Sequence, residues 1–308
     1  MALNNLRMTR TAASVHPGKK RRRGVRQIEP YLYLLPIFVV FGIFLYYPMI
    51  RTIHMSLSIV NSMGEVVGFA GLENFVELLT DKRTFWPSMS VTLRFVVLVV
   101  PLQLCTGVLL ALLAENRRKK SSPIRVIFAL PMAVSSACAS VIWLILFNPA
   151  TGLINYLLHA QYNWLGDKNL ALGMIAATTV WLTMGTNFLY AFSGLQGISQ
   201  DLYECASIEG ANYRQTLFHV TLPCMSPTLF FLLVTNTIGA FQTFTQVNLM
   251  TQGGPGRATR VLAYTIYIEA FRNNRWGYAC AQSLVFMAIL LVISILQFKL
   301  EKKGVHYQ

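Results

Sequence analysis

Neutral side chains, most of them polar, recur at helical spacing in two apolar stretches of the sequence, residues 170–195 and 225–250. Residues three or four positions apart share one face of a helix, so each set should form a stripe. Hydroxyl and amide groups in such stripes can line a pathway for a hydroxyl-rich solute, but hydrogen bonding between helices explains them equally well. The stripes are Thr179, Thr183, Thr186, Asn187 and Tyr190 in the first stretch, and Asn236, Ala240 and Thr243 in the second, with Thr235, Gln242 and Gln246 beside them.

Groups that could carry out catalysis or hold a metal ion are not clustered in the sequence. The histidines His16, His54, His159, His219 and His306 lie in different segments. There is no paired set of acids, no nucleophile with a base and no phosphate-binding loop of the G-x-x-x-x-G-K-[ST] type. We therefore predict no metal site, no cofactor bound by this chain and no enzymatic activity. An energised transporter built on this sequence would have to take its energy from a separate ATPase.

The elements that position the stripes are long apolar segments. The 308 residues are 54% hydrophobic and only 12% charged, with a mean hydropathy of +0.49, which is too apolar for an ordinary soluble domain. A helix of about 20 residues crosses the hydrocarbon core of a bilayer, where unpaired backbone groups are costly. We predict six transmembrane helices, at residues 31–50, 95–114, 126–147, 170–195, 225–250 and 279–298. None of these segments contains Asp, Glu, Lys, Arg or His, which argues against ion-coupled transport.

Basic residues predict the orientation of the six helices. With both termini on one side, that side carries 17 of the 26 Lys and Arg residues, including the basic tail at residues 1–29. The positive-inside rule then places both termini, the segment around 117–125 and the loop 199–223 in the cytoplasm. A nucleic-acid-binding arm is the alternative for the tail, and we disfavour it because a membrane helix begins within ten residues. The remainder, residues 30–308, is predicted to form one membrane domain.

The loop 199–223 carries more organisation than a connector requires. Ser199 can cap a first short helix, and Asn212 with Gln215 has the spacing of a capping box for a second. Gly210 permits a sharp turn between them, and Pro223 should stop the second helix. We predict a bent two-helix projection that either docks a partner or covers the helix bundle.

A resemblance favours docking. Glu204-Cys205-Ala206, Gly210-Ala211, Phe218 and Leu222-Pro223 resemble the Glu-Ala-Ala loop of ATP-binding-cassette (ABC) importer permeases of bacteria, with Cys205 replacing the usual alanine. Residues 251–255 (Thr-Gln-Gly-Gly-Pro), residues 71–75 (Gly-Leu-Glu-Asn-Phe) and residues 147–149 (Phe-Asn-Pro) with 152–154 (Gly-Leu-Ile) are similar to the maltose-permease and glycerol-3-phosphate-permease branch of the carbohydrate importers. The resemblance extends from residue 31 to residue 308.

The resemblance implies a type I importer permease bundle in the bacterial cytoplasmic membrane, working by alternating access. It implies a second homologous permease subunit, two ATPase subunits that bind ATP and Mg²⁺, an extracytoplasmic solute-binding protein and surrounding lipid, and no nucleic acid. The Glu-Ala-Ala residues would dock on the ATPase. By alignment from the family motifs, the solute contacts would include Thr179, Thr183, Thr186, Asn236, Gly239, Ala240 and Thr243. Because Ala240 replaces a polar residue of the maltose permease, maltose held in the same way is not expected.

Further expectations concern the segments between the predicted spans. Residues 71–79 should form a short amphipathic helix, and residues 259–271 a solvated one. The glycines and proline at 253–256 should break the fifth helix. Small residues at 135–140 should let the third helix pack inside the bundle. The cysteines, expected to be small core residues, are Cys105, Cys138, Cys205, Cys224 and Cys280.

The substrate stays open at this level. Neutral stripes favour a sugar or oligosaccharide. Four arginines between residues 257 and 275, together with the likeness to glycerol-phosphate permeases, favour glycerol-3-phosphate or a glycerophosphodiester. Those arginines could contact either the solute or the binding protein. A non-energised channel is a remote alternative, and it would pass solute without any ATPase.

Overall fold

The computed structural model describes residues 23–115 and 122–304, and most of this part is helical. The chain divides between Arg51 and Thr52 into two units. The first unit contains α1, Arg23–Phe41, a π-helical turn, Gly42–Tyr46, and the start of α2, Tyr47–Ser56, whose last residues belong to the second unit. No residue from 33 to 50 of this helix is buried. Such an apolar, uncovered helix suits contact with lipid or another subunit.

After the end of α2, the second unit contains a small hairpin, which is followed by a short helix and a long one. Strands β1, Ser58–Val60, and β2, Val66–Phe69, pair antiparallel, with Ser58 opposite Phe69 and an irregularity between Ile59 and Val60. They are followed by α3, Glu73–Thr80, and α4, Phe85–Glu115. The amphipathic helix expected at 71–79 is therefore present as α3, and its Leu78 is fully buried.

The middle of the unit contains α5, Ser122–Ala129, a 3₁₀ turn at Leu130–Ala133, α6, Ser136–Leu146, α7, Leu153–Leu158, and α8, Ala171–Gln196. After α8 come α9, Gln200–Ile208, α10, Tyr213–Thr216, a π-helical turn at Leu217–Thr221, and α11, Leu222–Cys224. The rest comprises α12, Ser226–Phe241, α13, Thr245–Met250, α14, Leu262–Tyr267, a π-helical turn at Ile268–Arg272, and α15, Trp276–Gly304.

The described residues contain four helices that are long and apolar enough to cross a membrane, and two further pairs of helices that are bent. The fold class, an all-α polytopic membrane protein with up to six spans, is confirmed. The third predicted span, 126–147, was wrong as one helix, because the chain bends by 100° between residues 133 and 136. Pro131 cannot donate to the helical hydrogen-bond ladder, and the backbone tightens into the 3₁₀ turn. Ser135 then caps α6 by accepting from the Cys138 N–H at 3.2 Å.

The fifth predicted span, 225–250, was also wrong as one helix. The helix ends at Phe241, twelve residues before the glycines that were expected to break it, and α13 starts at Thr245. On the N-terminal side, α12 is preceded by further helical backbone, and the chain bends by 66° between Tyr213–Cys224 and Ser226–Phe241. Non-helical backbone at membrane depth is tolerated where it lines a cavity, and residues 242–244 do so here.

The interior is built around the contact between α4 and α8. One apolar cluster contains Phe95, Ile175, Phe241 and Tyr264, and a second contains Phe188 and Met225. The helices approach closely at Gly107, where an added Cβ would lie 2.8 Å from the Cβ of Asn187. Small residues at such contacts allow van der Waals packing between membrane helices.

Two other expectations need correction. The segment predicted as a solvated helix, 259–271, is largely buried: Leu262, Tyr264 and Thr265 have no exposed surface. It packs against α4, where the Leu262 N–H donates to Thr92 Oγ1 at 2.8 Å. The cysteines are not core residues, because Cys105, Cys138 and Cys205 are exposed and Cys224 and Cys280 are half-buried. Of the small residues at 135–140, only Ala139 and Ser140 are buried, whereas Ser135 and Ala137 are exposed.

Candidate functional site

A cavity of about 540 Å³ lies between α4, α8 and α12, at the level where α12 ends. Its wall is made of hydroxyl, amide and aromatic side chains together with a glycine and a leucine. The lining residues are Gln103, Ser136, Thr179, Thr183, Thr186, Asn187, Tyr190, Phe231, Leu232, Thr235, Asn236, Gly239, Gln242, Thr243, Phe244, Thr245 and Gln246.

The cavity lining carries no ionisable acid, base or histidine among the described residues. Its polar groups are neutral donors and acceptors, and its rings include Tyr190 and Phe231, which meet edge to face at 5.1 Å. Neutral polar groups with aromatic faces suit a solute that offers hydroxyl groups and C–H surfaces. The arrangement offers no general acid or base within reach of a bound molecule.

A line of hydrogen bonds joins the three helices beside the cavity. Gln103 Nε2 on α4 donates to Thr183 Oγ1 on α8 at 2.9 Å. Asn187 Nδ2 donates to the carbonyl oxygen of Thr183 at 3.0 Å. Asn236 Nδ2 on α12 donates to Asn187 Oδ1 at 2.7 Å, in a buried contact. The same side chains therefore hold the helices together and form the cavity wall, so the two interpretations of the stripes are not exclusive.

The structure brings together seven of the eight predicted pathway residues. Thr179, Thr183, Thr186, Asn187, Asn236, Gly239 and Thr243 all line the cavity. Ala240 does not, because its side chain belongs to the apolar cluster with Phe95 and Phe241 and is 2% exposed. Gly239 faces open space, since an added Cβ would meet no atom within 4 Å.

Sequence reasoning missed the contribution of α4. Gln103 is buried at 2% exposure and reaches the cavity from a helix that carries no polar stripe. A glutamine inside an apolar span was the available signal, because a buried amide in a membrane needs a partner. Ser136, at the start of α6, and Phe244 and Thr245, beyond the end of α12, were missed because the bends that place them there were not predicted.

The loop 199–223 has the predicted caps. Ser199 Oγ accepts from the Asp201 N–H at 3.3 Å. Asn212 Oδ1 accepts from the Gln215 N–H at 3.0 Å, and Gln215 Oε1 accepts from the Asn212 N–H at 2.8 Å, which completes the capping box. Gly210 has φ = +76°, a conformation that favours glycine, so it makes the turn as expected.

The second helix ends next to Pro223, as predicted. Helical backbone runs without a break from Tyr213 to Cys224, one residue after Pro223, and the bend follows at Met225. Tyr203 on α9 and Thr221 in the π-helical turn approach each other at 3.3 Å between hydroxyl oxygens, which links the two halves of the loop.

The predicted docking residues do not all share one environment. Glu204, Cys205 and Gly210 are exposed, and so is Phe218, at 62%. Ala206 is buried at 8%, while Ala211, Leu222 and Pro223 are half-buried. Two further apolar side chains stand out from the loop, Ile208 at 86% and Tyr213 at 67% exposure. An apolar surface rimmed by polar residues marks a site of interaction with another molecule.

Charged residues gather instead around α14 and the start of α15. Glu269 is only 4% exposed. Its carboxylate oxygens lie 3.6 Å from a guanidinium nitrogen of Arg260 and 3.5 Å from one of Arg275. Arg275 also pairs with Glu77 on α3. Burial, together with the nearby Arg257, lowers the pKa of the Arg260 guanidinium. Two of the arginines that could have faced a solute are thus bound to carboxylates within the chain.

The family follows from comparison with known proteins. A model of the binding-protein-dependent transport system inner membrane component matches residues 103–304. The chain belongs to this family. The permease is 35% identical over 285 residues to the sn-glycerol-3-phosphate transport system permease protein UgpA of Agrobacterium fabrum, covering 91% of this chain and 97% of the relative. It is 36% identical over 286 residues to UgpA of Salmonella typhi, covering 91% and 96%.

Solved structures show the same fold. A chain of the bacterial alginate ABC transporter, solved in complex with an alginate pentasaccharide-bound periplasmic protein, superposes with a TM-score of 0.80 at 23% identity. The superposition covers 92% of the permease and 98% of that chain. The protein is therefore an inner-membrane permease subunit of a binding-protein-dependent ABC importer, and such a permease works with ATPase and solute-binding partners.

Proposed function

We propose that the permease conducts a hydroxyl-rich solute, a sugar or oligosaccharide, through the cavity between α4, α8 and α12. The observation that carries this proposal is the neutral lining, in which the polar groups are hydroxyls and amides. In water a sugar saturates its hydroxyls with hydrogen bonds, and a cavity of this kind can replace them without placing a charge in the membrane. The solute-contacting residues are Thr179, Thr183, Thr186, Asn187, Asn236, Gly239 and Thr243, whereas Ala240 supports them from the apolar side.

The loop 199–223 is proposed to receive energy from the ATPase. Its exposed apolar side chains, Ile208, Tyr213 and Phe218, support docking in a cleft of a partner. The proposed assembly has a second homologous permease and two ATPase subunits, and ATP with Mg²⁺ binds only to the ATPases. Both termini and this loop lie in the cytoplasm, by the distribution of basic residues. The chain itself catalyses no reaction.

Movement of the loop 199–223 can change the cavity, because the loop connects α8 and α12, the two helices that carry most of the polar lining. α8 ends at Gln196 and α12 begins at Ser226, so the loop spans the interval between them. The Asn236–Asn187 hydrogen bond joins the same two helices at the cavity. A displacement of α9 relative to α10 would change the angle between α8 and α12, and with it the cavity.

The docking proposal is tested with Gly210→Asp. We expect loss of ATP-driven uptake in vesicles, because a side chain at φ = +76° strains the turn and adds a charge to the docked surface. Gly210→Ala introduces the strain alone, and Ser207→Asp introduces a charge on the same exposed surface with no strain. Normal uptake by Gly210→Asp, with wild-type binding of the ATPase, would contradict the assignment of the loop.

Glycerol-3-phosphate is the second candidate substrate, and the observation that favours it is the name shared by the UgpA relatives. Phosphate sites in proteins usually provide Arg or Lys side chains or a helix N-terminus. Among the described residues, the cavity lining contains no Arg and no Lys. Uptake of radiolabelled sugars and of glycerol-3-phosphate by the reconstituted importer, with its binding protein, separates the two. Uptake of the phosphate compound alone would refute the sugar assignment.

A further inference from the structure

Gln103 is the only contribution of α4 to the cavity wall in the described chain. It lies midway along an apolar helix, between Leu102 and Leu104, and is 2% exposed. A buried amide in an apolar helix carries a cost in free energy unless both its carbonyl oxygen and its NH₂ group find partners.

Contacts with Thr183 fix the direction of this amide. The Thr183 hydroxyl has one hydrogen, which it donates to the carbonyl oxygen of Thr179 at 3.0 Å. With that hydrogen used, the Thr183 oxygen accepts from Gln103 Nε2 at 2.9 Å. Exchanging the amide oxygen and nitrogen would require the hydroxyl to give up its bond to the Thr179 carbonyl and donate to Gln103 instead.

The amide oxygen is left over by this arrangement. Gln103 Oε1 is buried and accepts no hydrogen bond from any residue in 23–115 or 122–304. The neighbouring Asn187 differs in this respect, because its side-chain oxygen accepts from Asn236 Nδ2 at 2.7 Å. One acceptor at the cavity wall therefore has its capacity unused.

We propose that Gln103 is a specificity-determining residue whose Oε1 accepts a hydrogen bond from a hydroxyl group of the transported solute. The inference rests on the proposed function of the cavity and names a contact from a helix outside the two polar stripes. An acceptor in a neutral cavity selects a donor, so a hydroxyl or amine is bound and a carboxylate or phosphate oxygen is disfavoured at that point. Thr183 serves as the positioning residue that aims the amide.

The test uses the complete importer, reconstituted with its ATPase and binding protein, and Gln103→Met. Methionine keeps the length and volume of the side chain and removes the acceptor. Uptake is measured for the solute that the wild type imports and for its single deoxy analogues, with binding-protein affinities determined separately. For one analogue, we expect the wild type to show a KM about tenfold higher than for the parent solute, the loss typical of one hydrogen bond in a desolvated site.

In Gln103→Met the same analogue and the parent solute should have the same KM within about twofold, both raised to the level of the analogue in the wild type. Thr106→Val is the matched control on the same helix. In the wild type, the Thr106 hydroxyl donates to the backbone carbonyls of Leu102 and Gln103, within α4 itself. That variant should retain the wild-type penalty. Basal ATPase activity of the assembled importer checks that each variant has folded.

An unchanged deoxy penalty in Gln103→Met would overturn the inference. The result is separable from the substrate assignment, because the deoxy analogues are those of whichever solute the wild type takes up. If that solute is glycerol-3-phosphate, the sugar assignment fails, and the same comparison with its deoxy analogues still decides the role of Gln103. Loss of the penalty would then place Gln103 against a glycerol hydroxyl.

Discussion

The cavity between α4, α8 and α12 and the charged network around Glu269 bury polar groups in different ways. In the cavity wall, neutral hydrogen bonds link Gln103, Thr183, Asn187 and Asn236, and Gln103 Oε1 is left without one among the described residues. Around α14, Glu269 lies between two guanidinium groups and also accepts from Asn273 Nδ2 at 3.0 Å.

The difference between neutral hydrogen bonds and buried ion pairs indicates which part of the chain can rearrange. A neutral hydrogen bond between membrane helices contributes about 0.6 kcal/mol on average, so a solute hydroxyl can replace it at little cost. Separating a buried ion pair leaves an uncompensated charge, which costs several kcal/mol. We therefore expect solute-dependent rearrangement at the cavity, while α3, α14 and the start of α15 stay together as one rigid part.

Glu269→Ala tests the rigid part and has the largest expected effect. It leaves Arg260, which is largely buried, without its carboxylate, so the free energy of unfolding should fall by about 3 kcal/mol. Thermal unfolding of the purified importer in detergent measures the loss. Glu65→Ala is the control, because Glu65 is exposed and its only side-chain partner is Asn61. A melting temperature equal to that of the control would show that the network does not hold these helices.

Two glycines, Gly107 at the contact between α4 and α8 and Gly239 in the cavity wall, give a matched pair with an intermediate effect. In Gly107→Ala the new Cβ would lie 2.8 Å from Asn187 Cβ and 3.0 Å from its carbonyl carbon, so we expect a loss of about 2 kcal/mol in stability. In Gly239→Ala the new methyl group meets nothing within 4 Å, and the better helix propensity of alanine should add about 0.5 kcal/mol.

A bulkier residue at Gly239 should impair uptake of the solute without lowering the stability of the protein. Gly239→Leu extends into the cavity, so we expect lower uptake of the solute with no fall in melting temperature. If Gly239→Leu transported normally, the solute would have to pass elsewhere. Together the two positions separate the packing role of the stripes from their role as a pathway.

The smallest expected loss of stability concerns Asp81, at the turn between α3 and α4. Burial raises the pKa of this carboxyl, but hydrogen bonds from the Tyr278 hydroxyl, at 2.7 Å, and from three backbone N–H groups outweigh burial and lower the pKa below its ordinary value of 3.8. A lowered folded-state pKa stabilises the protein above pH 3.8, and this contribution is lost as the pH falls through the lowered value.

Tyr278→Phe removes the hydroxyl that donates to Asp81. We expect a loss of about 1.5 kcal/mol at neutral pH, typical of a hydrogen bond to a charged group, and a smaller loss as Asp81 becomes protonated. Melting temperatures at pH 7 and under acid conditions measure both. Tyr203→Phe is the control, since its partner Thr221 is uncharged and its effect should not depend on pH. A pH-independent effect of Tyr278→Phe would mean that Asp81 is not the partner that matters.

Much of the site followed from residue spacing and from the family resemblance. The caps of the loop 199–223 were predicted because Ser199, Asn212 and Gln215 act on backbone groups within three residues. Seven pathway residues were predicted because helical periodicity and the family resemblance select the same faces of α8 and α12. Ala240 was misplaced because the face of a helix that meets the cavity is set by its rotation against neighbouring helices, which periodicity does not give.

The amino-acid sequence by itself determined the membrane location, the helical class and the two-helix loop, because hydropathy, backbone hydrogen bonding and end capping act over short stretches of chain. Only the tertiary structure decided the bends at residues 134–135 and 225, the burial of α14 and the presence of Gln103 at the cavity. Each of these depends on contacts between residues far apart in the chain, such as Gln103 with Thr183 or Leu262 with Thr92. Such contacts leave no periodic signal in either partner, so they become visible only once the helices are packed.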